Sequence, residues 1–274
     1  MNQKTTALTD RLRNGDFMTA PGVFDLISAR IADQFEFPAI YMTGYGVVAS
    51  SLGLPDAGLA SYTEMVDRVE KIAFATTTPL IADGDTGYGG LLNVDHTVRG
   101  YERAGACGIQ LEDQEYPKKC GHTPRRRVIA LEDMLAKIRV ATSARESDDF
   151  IIIARTDALA PNGWEDALAR ARAYREVGAD LVFVDGIRTM EELERYSREL
   201  ALQGVPCLYN GALVPAEEAE RMGFKIQILA GLALGAVFKS ATAAMQELNS
   251  SGATRQTVAQ FGPPGEGETV NDIL

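Results

Sequence analysis

The feature that most constrains this chain is an alternation: from Thr19 onward, eight short apolar or β-branched runs each give way to a longer, mostly amphipathic stretch. The short runs are Thr19–Val23, Ala39–Thr43, Leu80–Asp83, Gly108–Glu112, Ile151–Thr156, Leu181–Val184, Cys207–Tyr209 and Lys225–Leu229. They are almost continuously apolar, as strands buried on both faces of a parallel sheet are. The longer stretches include Thr63–Thr76, Asn93–Ala104, Leu131–Arg145, Trp164–Val177 and Met190–Leu202. Their apolar positions recur every three or four residues, which predicts helices with one buried stripe. Gly105 and Gly178 each stand between such a helix and the next strand, where a glycine serves as a C-cap. Repetition of this unit predicts an α/β fold, specifically a (β/α)8 TIM barrel. A doubly wound open sheet shares the alternation, but no glycine-rich dinucleotide fingerprint follows the first run.

A chain of 274 residues, 46% hydrophobic, suits one barrel domain spanning 1–274. From about residue 249 it becomes rich in Gly, Pro, Ser and acidic residues, which predicts an extended tail over 249–274. No run approaches the roughly 18 uncharged apolar residues of a membrane-spanning helix. Met1–Arg13 lacks the apolar centre of a secretory signal, so a cytoplasmic location is expected, with no membrane partner. A net charge of −11 argues against a nucleic-acid partner, and Arg125-Arg126-Arg127 is too short a basic run to reverse that. Three widely spaced cysteines suit reduced thiols better than a disulfide framework. With two histidines and no CxxC pair, a histidine-rich or Cys₄ zinc site cannot be assembled.

The third run ends in Asp83-Gly84-Asp85, followed by a glycine-rich loop to Gly90. In a barrel the C-terminal strand ends form the active-site face, so these carboxylates meet at one opening and repel unless a cation or shared proton offsets them. Glu112, ending the next run, adds a third acid. An isolated Asp-x-Asp pair is more simply a helix cap. Three acidic ends on neighbouring units, however, are costly to bury without counter-charge, and a hard Mg²⁺ ion is the simplest remedy.

Glu115 to Arg127 forms a long polar connection carrying Lys118-Lys119-Cys120-Gly121-His122. Nearby positive charge stabilises a thiolate, so Cys120 is a candidate proton donor or acceptor near neutral pH. Gly121 supplies backbone freedom for a closing lid; a solvated basic loop with an incidental thiol is the plainer alternative.

This loop, following Gln110-Leu111-Glu112-Asp113-Gln114, closely resembles the signature loop of the isocitrate lyase and phosphoenolpyruvate mutase superfamily. The resemblance continues, in family order, through Tyr41-Met42-Thr43-Gly44, Ser51-Leu52-Gly53-Leu54-Pro55-Asp56, Asp83 to Gly89, and Ile153-Ala154-Arg155-Thr156-Asp157-Ala158. It covers nearly the whole barrel and implies a set of roles. Asp85 would be the principal Mg²⁺ ligand, with Asp83 and Glu112 acting through waters and Asp56 outside them; Mn²⁺ would serve as a substitute. Cys120 would be the general acid, Lys118, Gly121 and His122 would shape the closed site, and Arg155 would grip a carboxylate, unless it is simply paired with Asp157. Tyr41, Thr43, Gly44 and Tyr45 would cradle the 2-oxo acid, with Asn210 beside them. The resemblance also implies a homotetramer that exchanges a C-terminal helix, for which the apolar run Ile228–Met245 is the candidate.

Two departures bear on the substrate. Lyases of the branch generally carry Glu where this chain has Asp185, and further polar residues where it has Gly211-Ala212-Leu213-Val214-Pro215. The expected activity is therefore cleavage of a small 2-hydroxy di-acid, such as an alkyl-substituted malate, to a 2-oxo acid, rather than of a tricarboxylate. The alternatives are an oxaloacetate hydrolase or decarboxylase, a phosphonate mutase of the same superfamily, and a non-catalytic dicarboxylate-binding barrel.

Overall fold

In the computed structural model, which describes residues 3–121, 123–262 and 270–273, eight parallel strands close into a barrel in sequential order. They are β1 (Met18–Val23), β2 (Ile40–Met42), β3 (Leu80–Asp83), β4 (Gly108–Glu112), β5 (Ile151–Thr156), β6 (Leu181–Val184), β7 (Cys207–Asn210) and β8 (Ile226–Leu229). Pairing of Met18 with Ile226 and of Pro21 with Leu229 seals β1 to β8. The expected strands thus form within a residue of their predicted bounds.

Alternation along each strand sorts the core into two layers. Ile81, Ile151, Ile153, Leu181, Phe183 and Leu208 fill the barrel interior, while Ala82, Ile109, Leu111, Ile152 and Ala154 face outward against the helices. Leu8, from the helix Gln3–Asn14, joins the inner cluster with Ala39 and Cys107. The outer helices start where the chain supplies an acceptor: Ser61 with Glu64, and Thr189 with Glu192, form reciprocal capping boxes. The helix from Met190 stops at Glu199, and Ala201–Gln203 continues as a single 3₁₀ turn.

The tail differs from expectation. The helix Leu232–Ser251 runs past residue 249, turns at Gly252 with φ 66°, and is followed by a further helix, Arg255–Phe261. Polar composition does not keep this segment extended, because Glu247 caps the second helix. Its carboxylate accepts from the Gln256 and Thr257 N–H groups at 2.7 and 2.8 Å. The rest of the expected tail, 263–269 and Leu274, lies outside the described residues. No residue of the helix Leu232–Ser251 is buried, and Leu232, Val237, Phe238 and Met245 are exposed along it. Among the described residues no helix is long and apolar enough to cross a membrane.

Candidate active site

Strand register gathers the chemistry. Asp83 on β3 lies beside Gln110 on β4, Glu112 on β4 beside Arg155 on β5, and Arg155 beside Phe183 on β6. Because Ala82, Ile109, Leu111 and Ala154 face outward, Asp83, Gln110, Glu112 and Arg155 turn inward. A cavity of about 410 Å³ opens at these strand ends. Tyr41, Thr43, Tyr45, Asp56, Asp83, Glu112, Lys118, Cys120, Gly121, Arg155, Asp185 and Asn210, all expected at the site, line it.

Gly44 and Asp85 are not part of that lining. The Gly44 N–H, expected to serve a substrate oxygen, instead donates to Asp83 Oδ2 at 3.2 Å. The Asp83 carboxylate lies so close that a side chain at 44 would meet this oxygen at 2.8 Å. Asp85 Oδ1 is covered by the Lys118 ammonium, 2.7 Å away, which also lies 2.5 Å from Asp56 Oδ1. His122 lies outside the described residues.

The loop carrying Lys118 to Gly121 is docked over the opening. The Gln114 side chain grips the Lys119 backbone from both sides, accepting from its N–H at 3.0 Å and donating to its carbonyl at 2.9 Å. The Cys120 N–H donates to the Asp56 carbonyl at 3.0 Å. Gly121 is required less for flexibility than for space: a Cβ there would lie 2.5 Å from Asp185 Oδ2 and 2.8 Å from an Arg155 nitrogen.

Burial makes the carboxylates expensive to ionise. It pushes the Asp85 carboxyl up to about 6 against the pull of Lys118, and raises Glu112 well above the usual carboxylate range against the pull of Arg155. Burial opposes the Lys118 charge too, yet Asp85, Glu112, Asp83 and Asp56 outweigh it and hold the ammonium protonated. Asp56 Oδ1 and Asp85 Oδ1 are met by the Lys118 ammonium, whereas Glu112 Oε1 has no hydrogen-bond donor. A buried carboxylate oxygen without a donor fits a hard cation. Among the described residues no group of three or more acidic, imidazole or thiol side chains is gathered so that it could hold a metal ion. Mg²⁺ does not need one, since it keeps several waters and takes one or two carboxylates.

Tyr41 donates its hydroxyl proton to Gln110 Oε1 at 2.9 Å, and Gln110 Nε2 donates to Asp83 Oδ1 at 3.3 Å. Burial, reinforced by the Asp83 charge, raises the phenol well above its ordinary value, so Tyr41 stays neutral. Arg155 is paired with Asp157 in a two-pronged contact of 2.8 and 2.9 Å, and one of its nitrogens lies 3.2 Å from Asp185. Its guanidinium carbon stands 5.3 Å from the Phe183 ring centre.

The whole chain, not only this cluster, is shared with known proteins. Residues 8–249 match the sequence family of phosphoenolpyruvate phosphomutase. A 2,3-dimethylmalate lyase from Eubacterium barkeri is 42% identical over 224 residues, 81% of this chain and 78% of the relative. The chain belongs to the phosphoenolpyruvate mutase/isocitrate lyase superfamily. Among solved superfamily structures, oxaloacetate acetylhydrolase with 3,3-difluorooxalacetate superposes with a TM-score of 0.90 at 35% identity, covering 98% of this chain and 92% of that one. Phosphonopyruvate hydrolase with oxalate and Mg²⁺ gives 0.85 at 30% identity, covering 98% and 93%.

Reading the sequence as a superfamily member still misses the layer behind the cavity wall. Gln110 joins Tyr41 to Asp83, and an amide inside an otherwise apolar strand was its only signal. Arg126, taken above as part of a basic run, is 4% exposed and pairs with Asp157 and Asp185. Asp113 is fully buried and accepts from Thr156 Oγ1, the Asp157 N–H and the Tyr174 hydroxyl at 2.7, 2.8 and 2.6 Å, fixing the base of the Arg155 pair. Since Asp157 carries two guanidiniums, Asp157→Asn removes a shared buried anion and leaves Arg126 with Asp185 and Arg155 with Asp185 and Glu112. A loss of about 3 kcal/mol is expected in urea denaturation; a variant as stable as wild type would show that the ion pairs contribute no stability.

Proposed function

We propose that this chain is a Mg²⁺-dependent carbon–carbon lyase that splits a 2-hydroxy di-acid of the substituted-malate type into a 2-oxo acid and a second carboxylate. One observation carries the reading: the buried carboxylates Asp56, Asp83 and Glu112, the last with an oxygen that no donor meets, share a single opening with Cys120 of a docked loop. Asp85, Asp83 and Glu112 would hold Mg²⁺ or Mn²⁺, with Asp56 outside them. Bound there, the ion supplies Lewis acidity that makes the 2-hydroxyl easier to deprotonate.

The remaining work falls to side chains. Thr43, Tyr41, Tyr45 and Asn210 orient the 2-oxo-acid end. A base takes the hydroxyl proton, the C2–C3 bond breaks, and its electron pair passes to C3. Tyr41 is unsuited as the base because its proton is engaged by Gln110 and its phenol is held neutral. Asp56, which lines the same cavity, is the candidate carboxylate base. Arg155 and Asn210 offset the charge on the departing carbanion. Cys120 then transfers its thiol proton to that carbon, leaving a thiolate next to the loop lysines.

The substrate class is read from the apolar part of the lining. Ile187, Ala212 and Leu213 line the cavity with apolar surface, which favours an alkyl branch over the third carboxylate of a tricarboxylate. The 2,3-dimethylmalate lyase relative points the same way. Similarity to oxaloacetate acetylhydrolase keeps a second reading, hydrolysis of oxaloacetate, within the same site. Incubation with Mg²⁺ and 2,3-dimethylmalate, 2-methylisocitrate, malate or oxaloacetate separates the two. The lyase reading predicts a 2-oxo acid from a branched malate, whereas oxalate and acetate from oxaloacetate alone would replace it. Cys120→Ser should lower kcat by about 10²-fold or more while leaving Mg²⁺ binding unchanged; near-normal cleavage would remove the proposed proton donor.

The protein is further proposed to work as a homotetramer. A twenty-residue helix with no buried residue and with Val237, Phe238 and Met245 exposed suits docking on another subunit. Light scattering coupled to size exclusion should give about four times the chain mass, and a monomer at micromolar concentration would refute exchange of this helix.

A further inference from the structure

Resting on that lyase reading, we propose that Arg188 receives the second carboxylate of the substrate and so selects di-acids over simple 2-oxo acids. The cations lining the cavity are not equivalent. Lys118 is committed to Asp56 and Asp85, and Arg155 to Asp157 and Asp185. Lys119 Nζ donates to the Arg125 carbonyl at 3.2 Å. Arg188 lines the same cavity, yet among the described residues only its backbone N–H is engaged, donating to Glu192 Oε2 at 2.7 Å. Among the described residues its guanidinium meets no carboxylate, in a chain whose net charge is −11.

Its position fits the far end of a small di-acid. Gly186, at φ 96°, turns the chain just beyond Asp185, and Ile187 and Arg188 then face the opening. Arg188 also borders a second, open depression shared with Arg125 and Trp164, which places it at the outer rim rather than among the buried acids. The substrate's first carboxylate and 2-oxygen would go to the cation that the strand-end acids would hold and to the Thr43 and Tyr45 side of the cavity. A second carboxylate in the same cavity needs its own donor, and a planar, unpaired guanidinium offers a two-pronged one. The apolar surface of Ile187 and Leu213 is left for an alkyl branch. Specificity would thus arise from one charged contact at the rim together with an apolar wall.

The test compares short and long acids on one background. In Cys120→Ser protein with Mg²⁺, where turnover of bound di-acid is slowed, calorimetry measures the affinity for oxalate, malate and 2,3-dimethylmalate. Arg188→Ala should weaken at least one of the two di-acids by about tenfold or more while oxalate stays within about twofold. Arg188→Lys should recover part of the loss, because charge is kept and only the two-pronged geometry is removed. The assignment is overturned if all three acids weaken together, if none changes, or if the Cys120→Ser protein binds oxalate but neither di-acid. Absence of Mg²⁺-dependent binding for all three would overturn the lyase reading itself and this assignment with it.

Discussion

Everything at the mouth of this barrel follows from the cost of crowding carboxylates where water is scarce. Asp83, Asp85, Glu112 and Asp56 are each less than a tenth exposed, and burial alone pushes Asp85 and Glu112 toward their neutral forms. Such an arrangement persists only if positive charge is brought to it. The chain brings part of that charge itself, through Lys118 on one side and Arg155 on the other. Glu112 Oε1 keeps no donor even so, which leaves room for a dication in the electrostatic balance.

The docked loop is best understood as one side of that balance. Lys118 is drawn in by the acids, and Gln114 and the Asp56 carbonyl hold the backbone that carries it, so Cys120 is delivered to the cavity by the same contacts that place the lysine. Behind the wall, Asp113 and Arg126 set the Asp157–Arg155 pair, fixing the guanidinium before any substrate arrives. Fixed donors and acceptors of this kind need no rearrangement as charge develops during a reaction.

The barrel was legible because buried parallel strands carry nearly unbroken apolar runs, and all eight appear within a residue of their expected bounds. The candidate site was legible where a charged residue stood at or next to the end of such a run, as Asp83, Glu112 and Arg155 do. What stayed hidden depended on distance in the chain. Arg126 belongs to a run that looks solvated until Asp157 and Asp185 arrive from other strands to bury it. The Gly44 amide looked free until register placed Asp83 beside it. Helix beyond residue 249 was masked by polar composition, its cap at Glu247 lying upstream of the segment it starts. Arg188 carried no signal at all, since an arginine in a loop gains meaning only from the cavity it borders.

The most direct measurement of the central claim is a titration of the chelated protein with Mn²⁺, followed by electron paramagnetic resonance. If the strand-end acids form a cation site, the protein should take up one Mn²⁺ per chain, and Asp85→Asn should weaken that uptake by about tenfold or more. Undiminished binding by Asp85→Asn, or no binding by the wild-type protein, would contradict the account.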